Sequence, residues 1–273
     1  MFHEITRVGA PAPVRTGPVR TAPCRLVLGV EFHAVTMADV VTRAERCIRT
    51  RERLAIDVLN ATEVVRLRRD PLLRESLRHS DLVLAESPSV VWASRLLGRA
   101  LPERVAATDL LTALLAVAHR DRRRVFLLGG RPEVLRTVRQ QVARRWPGAV
   151  IAGSHHGQLS DEQAPFVADA IAASGADLLF VDTTTPQTEG FLRTYGHLLA
   201  VPVRQGVGAS FEVLAGVTDR APASWQRLGL DWAYPARREQ RRPWKRLVAA
   251  HSLFLLLLMR ERVHPSRPAG TGR

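Results

Sequence analysis

Short apolar runs that return at near-regular intervals, with stretches of helical period between them, constrain this chain more than any other feature. The runs are LVLGVEFHAVT, RLAIDVLNA, DLVLAESPS, RRRVFLLGG, AVIAGSHHG, DLLFVDTTTP and LAVPVRQGVGASF. A continuous apolar run of this length, rich in Val, Ile and Leu, suits a strand buried on both faces. Strands of that kind alternating with amphipathic helices build parallel sheets through crossover connections. The expected fold is therefore α/β: a Rossmann-like, doubly wound, mostly parallel sheet with a basic, partly apolar helical appendage at the C-terminal end. LVLGVEFHAVT reads as a strand feeding the helix MADVVTRAERCIRTR, and TEVVRLRRDPLLRESLRHS as a helix interrupted at Pro71. Thr108 and Asp109 stand where short polar groups cap a helix start. The clearest unit is RRRVFLLGGRPEVLRTVRQQVARRWPG: a strand, a Gly129-Gly130 turn, Pro132 in the first helical turn, and a stop at Pro147-Gly148.

The rhythm also sets boundaries. Residues 1–25 are broken up by Pro, Gly and Arg, lack the apolar core of a signal peptide, and read as a flexible tail. Residues 26–222 form the α/β domain, 223–262 the appendage, and 263–273 a disordered tail. Only Cys24 and Cys47 are present, without metal-ligand spacing, which fits a reducing cytoplasm and no zinc site. His155-His156 on an extended segment would face opposite sides, so no metal is expected there. The formal charge of +14, carried almost wholly by arginine because Lys245 is the only lysine, points to polyanionic partners such as phosphorylated substrates, an anionic lipid surface or nucleic acid.

Ligands of an open parallel sheet collect beyond the carboxyl ends of its strands. The loops LNAT, AESPS, LLGGRP, DTTTPQTEG and GVGAS are therefore the informative ones. Gly129-Gly130 lets backbone approach a ligand or simply makes a tight turn, and Asn60 suits an Asx turn as well as a ligand contact.

Five features in order carry a resemblance: LNATEVV, ERVAATDLL, VFLLGGRPEV, TPQTEGF, and GVGASFEVLAG followed by RAP and LGLDW. The chain resembles the WecG/TagA/CpsF glycosyltransferases, from about residue 59 to 232. The resemblance implies an inverting, metal-independent transfer of an N-acetylhexosamine-type sugar from a UDP-sugar to a polyprenyl-diphosphate-linked acceptor in cell-surface polysaccharide synthesis. No cofactor is implied. It assigns Glu86 as general base and Arg104 as a diphosphate contact. Asn60, Asp109, Gly129, Gly130, Thr188, Glu189, Gly206, Gly208 and Phe211 become substrate-site candidates. Arg220, Arg237, Arg241 and Arg242 become candidates for the lipid diphosphate and the membrane. The sequence departs from the family pattern at Val58, where threonine is usual, at Glu86-Ser87 in place of Asp-Gly, at Thr188 in place of an amide, and at Pro235 in place of an arginine.

In the appendage a cationic collar, Arg237 to Arg246, abuts the apolar stretch Leu247 to Met259, which is shorter than the roughly 20 residues a span requires. The expectation is a protein peripheral at the inner face of the cell membrane, lying in the anionic interface. Two other functions stay open on the sequence alone. One is a catalytically degenerate relative that binds a nucleotide sugar or a partner enzyme. The other is a basic nucleic-acid-binding protein, suggested by charge alone and lacking a recognised module. A homo-oligomer is neither required nor excluded.

Overall fold

The computed structural model describes residues 22–182, 186–219, 222, 225 and 244–264. It opens with a two-stranded antiparallel hairpin, β1 (Cys24–Val27) and β2 (Val30–His33). This corrects the reading of LVLGVEFHAVT as one strand feeding a helix. The turn residues Leu28 and Gly29 have φ of 52° and 80°, and a two-residue hairpin turn with both φ values positive matches the twist of the flanking strands.

Then follow α1 (Met37–Thr50), β3 (Leu54–Leu59), α2 (Ala61–Arg66), α3 (Pro71–Arg78), β4 (Leu82–Ala85), α4 (Pro88–Leu96), α5 (Ala107–Arg120), β5 (Arg124–Leu128) and α6 (Pro132–Arg145). The chain continues with β6 (Val150–His155), α7 (Ala164–Ala173), β7 (Leu178–Val181), α8 (Pro186–Tyr195), β8 (Val203–Gly206), α9 (Ser210–Leu214) and a helix here called α10 (Trp244–Val263). Strands β3 to β8 form one parallel sheet in the order β4-β3-β8-β7-β5-β6. Pro71 starts α3, where its missing N–H costs nothing.

Side chains alternate between the two faces of the sheet. Leu54, Ile56, Leu82, Leu84, Val125, Leu127, Leu178, Phe180 and Val203 are buried against α1, α5, α6 and α9. On the other face, Leu59, Val83 and Ala85 pack with α2, α4 and the hairpin, while Phe126, Leu128, Leu179 and Val181 pack with α7 and α8. The period-2 alternation and the helical stripes thus meet in a three-layer core.

Helix α10 docks on the second face. Phe254 and Leu258 are buried with Val27, Phe32, Val64 and Val65. The Glu261 carboxylate, 5% exposed, meets Arg99 Nη1 at 2.7 Å, and that same nitrogen donates to the Leu26 carbonyl at 2.8 Å. Arg262 Nη1 donates to the Leu96 carbonyl at 3.0 Å. The opposite side of α10 presents Val248, Leu255, Leu256, Met259 and Val263 to solvent. Among the described residues, no helix is long and apolar enough to cross a membrane.

Candidate active site

The carboxyl ends of the parallel strands lie along one rim, and two groups of side chains gather there. The first belongs to β3 and β4. Asn60 caps α2: its Oδ1 accepts the amides of Thr62 and Glu63 at 3.0 and 3.1 Å, while its own amide donates to Glu63 Oε2 at 2.9 Å. This reciprocal capping box occupies the carbonyl side of the Asn60 amide, so the NH2 side must face away. It faces Glu86, donating from Nδ2 to Oε2 at 3.3 Å.

The Glu86 backbone is held as well, its amide donating to the Leu59 carbonyl at 2.9 Å. The replacement of Asp-Gly by Glu86-Ser87 therefore leaves the backbone on the sheet ladder. Pro88 stands at the first position of α4, where no N–H is needed, and the Ser87 and Ser89 hydroxyls share a hydrogen bond of 2.9 Å.

The Val105 amide donates to the Ala85 carbonyl at 2.9 Å, which brings the Glu103–Val105 segment alongside the end of β4. Arg104 Nη2 lies 3.6 Å from Asp109 Oδ2. Asp109 is not the cap of α5, as the sequence suggested. The cap position is Ala106, without a side-chain bond, because Asp109 faces Arg104 and the Thr108 hydroxyl donates to Ser210 Oγ at 2.9 Å. The first turn of α5 therefore ties the β4 loop to the start of α9. Gln205, wholly buried on β8, donates from Nε2 to the Ala107 carbonyl at 2.9 Å and anchors that turn to the central strand.

The second group lies at β5, β6 and β7. Gly129 and Gly130 have φ of 111° and 72°, backbone conformations that L side chains resist. A Cβ on Gly129 would come within 2.6 Å of Asp182 Cβ. The Gly129 amide donates to the His155 carbonyl, and the Gly157 amide donates to the Gly130 carbonyl at 3.0 Å. Thr188, buried on α8, closes the group, since a Cβ on Gly157 would meet both its Oγ1 and the Gly130 nitrogen within 3.3 Å. The result is a side-chain-free shelf beside the buried Asp182. Phe211 is wholly buried and backs Gly130.

Gly206 is required for a neighbouring carboxylate: a Cβ there would collide with Asp57 Oδ1. Gly208, at φ 49°, has open space around its Cβ position. The Glu189, Arg220, Arg237, Arg241 and Arg242 side chains lie outside the described residues. His155 and His156 do not face opposite sides. Their ring centroids are 4.5 Å apart, because β6 ends at His155 and the alternation ends with it. His155 Nδ1 pairs with the His156 carbonyl at 2.7 Å, and burial lowers the His155 pKa.

Sequence reasoning passed over Asp57, Glu63, Gly157, Asp182 and Ser210. Of these only Glu63 carried a readable signal, the N-x-x-E spacing of a capping box. The Glu63 pKa is pushed up to about 8 by burial of its carboxyl, then by the Glu86 and Asp57 charges, against the lowering effects of the Asn60 amide and Arg66. The folded state thus keeps a proton that the unfolded chain releases at about 4.5. The corresponding stability is complete below 4.5 and is lost as pH rises through about 8.

A carboxylate with a fixed neighbour stands at one end of the rim and a bare backbone shelf at the other. From β4, which Glu86 follows, to β5, which the glycines follow, is four strand spacings, roughly 19 Å. An extended ligand laid along the rim would reach from this carboxylate to the glycines.

The family model for the glycosyl transferase WecG/TagA/CpsF family matches residues 25–268. Two N-acetylglucosaminyldiphosphoundecaprenol N-acetyl-beta-D-mannosaminyltransferases are similar to this chain. The one from Bacillus spizizenii is 35% identical over 209 residues, covering 75% of this chain and 78% of the relative. The one from Bacillus subtilis is 34% identical over 186 residues, covering 68% of this chain and 72% of the relative.

Proposed function

The chain belongs to the WecG/TagA/CpsF family of glycosyl transferases, and on that premise we propose that it moves an N-acetylhexosamine from a UDP-sugar to a sugar hydroxyl of a polyprenyl-diphosphate-linked acceptor. The observation that carries this reading is the Glu86 carboxylate, held by Asn60 at the end of β4. In a single inverting displacement the acceptor oxygen bonds to the anomeric carbon as the bond to UDP breaks. The hydroxyl proton passes to Glu86, and the electron pair leaves with the diphosphate. Arg104 supplies a forked cation for that diphosphate, and the Gly129-Gly130 shelf lets backbone approach the nucleotide. Release of UDP that requires both a UDP-N-acetylhexosamine and a diphospholipid-linked sugar supports the reading. Binding of both without UDP release removes it.

The polyprenyl anchor requires a membrane surface, and the apolar ridge of α10 fits one. Leu255, Leu256, Met259 and Val263 are each more than half exposed, while Phe254, Leu258 and Glu261 hold the helix to the domain. Such a helix lies in the lipid interface without crossing it. Each large apolar side chain that leaves water contributes about 1.5–3 kcal/mol. The double change Leu256→Glu with Met259→Glu is expected to lower partitioning onto anionic vesicles by more than about tenfold in a sedimentation assay, with the melting temperature unchanged. Equal partitioning of the variant and the parent would move the membrane contact elsewhere.

A further inference from the structure

Glu63 belongs to no loop that faces a substrate, yet it sits behind the two residues that matter most at β3 and β4. Its Oε2 accepts the Asn60 amide, the Asn60 side chain accepts the Glu63 amide, and the remaining side of that side chain reaches Glu86. The side chain also lines a cavity of about 50 Å³ over β3 and β8, together with Asp57, His79, Arg193 and Arg204. That space is wide enough for water, so a proton on Glu63 has a route of exchange.

We propose that Glu63 is a positioning residue of the transfer, setting through Asn60 the place of the Glu86 carboxylate and, by its own proton, the charge behind it. This rests on the reading of Glu86 as the base. The groups that act on Glu63 come from every side. Glu86 beyond β4 and Asp57 on β3 oppose its ionisation, and Arg66 on its own helix favours it. Arg204 on β8 is half-buried beside Asp57, whose second oxygen accepts the Ser80 hydroxyl. Three carboxyl groups therefore converge, and like charges this close do not all ionise together.

A proton kept on Glu63 spares the substrates, which both carry diphosphates, a further negative charge behind Glu86. Loss of that proton adds a negative charge behind Glu86. Substrate binding then weakens while the Glu86 carboxylate keeps its place. The effect belongs in KM more than in kcat.

The test is a pH series of UDP release, paired with a carboxyl titration by ¹³C NMR of glutamate-labelled protein. In the parent protein, kcat/KM should fall about tenfold per pH unit above about 8, mostly through KM, and one glutamate resonance should titrate near 8. In Glu63→Gln, which can still accept the Asn60 amide, the alkaline fall and that resonance should both vanish. The loss of melting temperature between pH 5 and 8 should shrink with them. Glu63→Ala, which cannot accept the amide, should lose about tenfold in kcat at every pH.

A Glu63→Gln enzyme that keeps the alkaline fall, or a parent protein with no glutamate titrating between pH 7 and 9, overturns the proposal. Should Glu63→Gln not fold, the titration of the parent decides alone. Should the parent release no UDP under any condition, the transferase reading fails instead, and the titration and melting series still decide the charge on Glu63.

Discussion

Glu86→Gln is expected to lower kcat for UDP release by at least about a hundredfold, the usual contribution of a positioned general base. The change keeps shape and removes basicity. Glutamine can accept from Asn60 Nδ2 as glutamate does, so the 3.3 Å contact and the backbone bond to Leu59 should survive. KM for the donor should move little, because Arg104 and the glycine shelf are untouched, and a loss confined to kcat marks an interaction needed in the transition state. Glu86→Asp separates geometry from chemistry. It restores the residue usual in the family but withdraws the carboxylate by one methylene from Asn60, and a displacement near 1 Å can cost about a hundredfold. Steady-state kinetics with both substrates varied checks each variant. A Glu86→Gln enzyme within threefold of the parent would exclude Glu86 as the base.

Gly129→Ala is expected to be strongly destabilising. The added carbon would stand 2.6 Å from Asp182 Cβ, 2.9 Å from the Asp182 carbonyl and 3.0 Å from its nitrogen. Two of these contacts are backbone of Asp182, the residue directly after β7, so relief requires the end of that strand to move. A φ of 111° adds strain of about 1–3 kcal/mol for any residue with a side chain. Together a cost of about 3–5 kcal/mol is expected, which for a domain of this size lowers the melting temperature on the order of 10 °C. Gly208→Ala provides the comparison. Its φ is also positive, at 49°, but nothing lies within 4 Å of the new carbon, so it should cost only about 1–2 kcal/mol. Melting curves of the two variants side by side test the argument, and equal shifts would refute the steric account.

The sheet was legible because buried parallel strands write themselves as continuous apolar runs and their helices as amphipathic ones. RRRVFLLGGRPEV needed no further context. The order of the strands was not legible, since β3 beside β8 is a pairing between residues 54–56 and 203–205 that no local signal announces. The hairpin escaped for a local reason: its turn is Leu28-Gly29, with leucine at a positive φ where asparagine or aspartate is usual.

The candidate site was legible in part. Asn60 and Arg104 stand in motifs carried by the family resemblance, Glu86 stands where that family has Asp-Gly, and the glycines mark a strand end. Asp109 was misread because its carboxylate answers to Arg104, five residues upstream, rather than to its own helix. Asp182 opens a loop marked by the resemblance but carried no role of its own in the sequence. Its importance comes from Gly129, far away in sequence, which has no room for a side chain beside it.

The central place of β8 has a consequence for how the protein is made. β8 is the last strand of the sheet to leave the ribosome, yet it lies between β3 and β7 and bonds to both. Until residues 203–206 emerge, the nascent chain holds two half-sheets, β4-β3 and β7-β5-β6, each with an unsatisfied inner edge. Open edges invite pairing with other chains, and distant pairings form slowly. The interval between synthesis of β7 and β8 is therefore when the nascent sheet leaves the most edge unpaired.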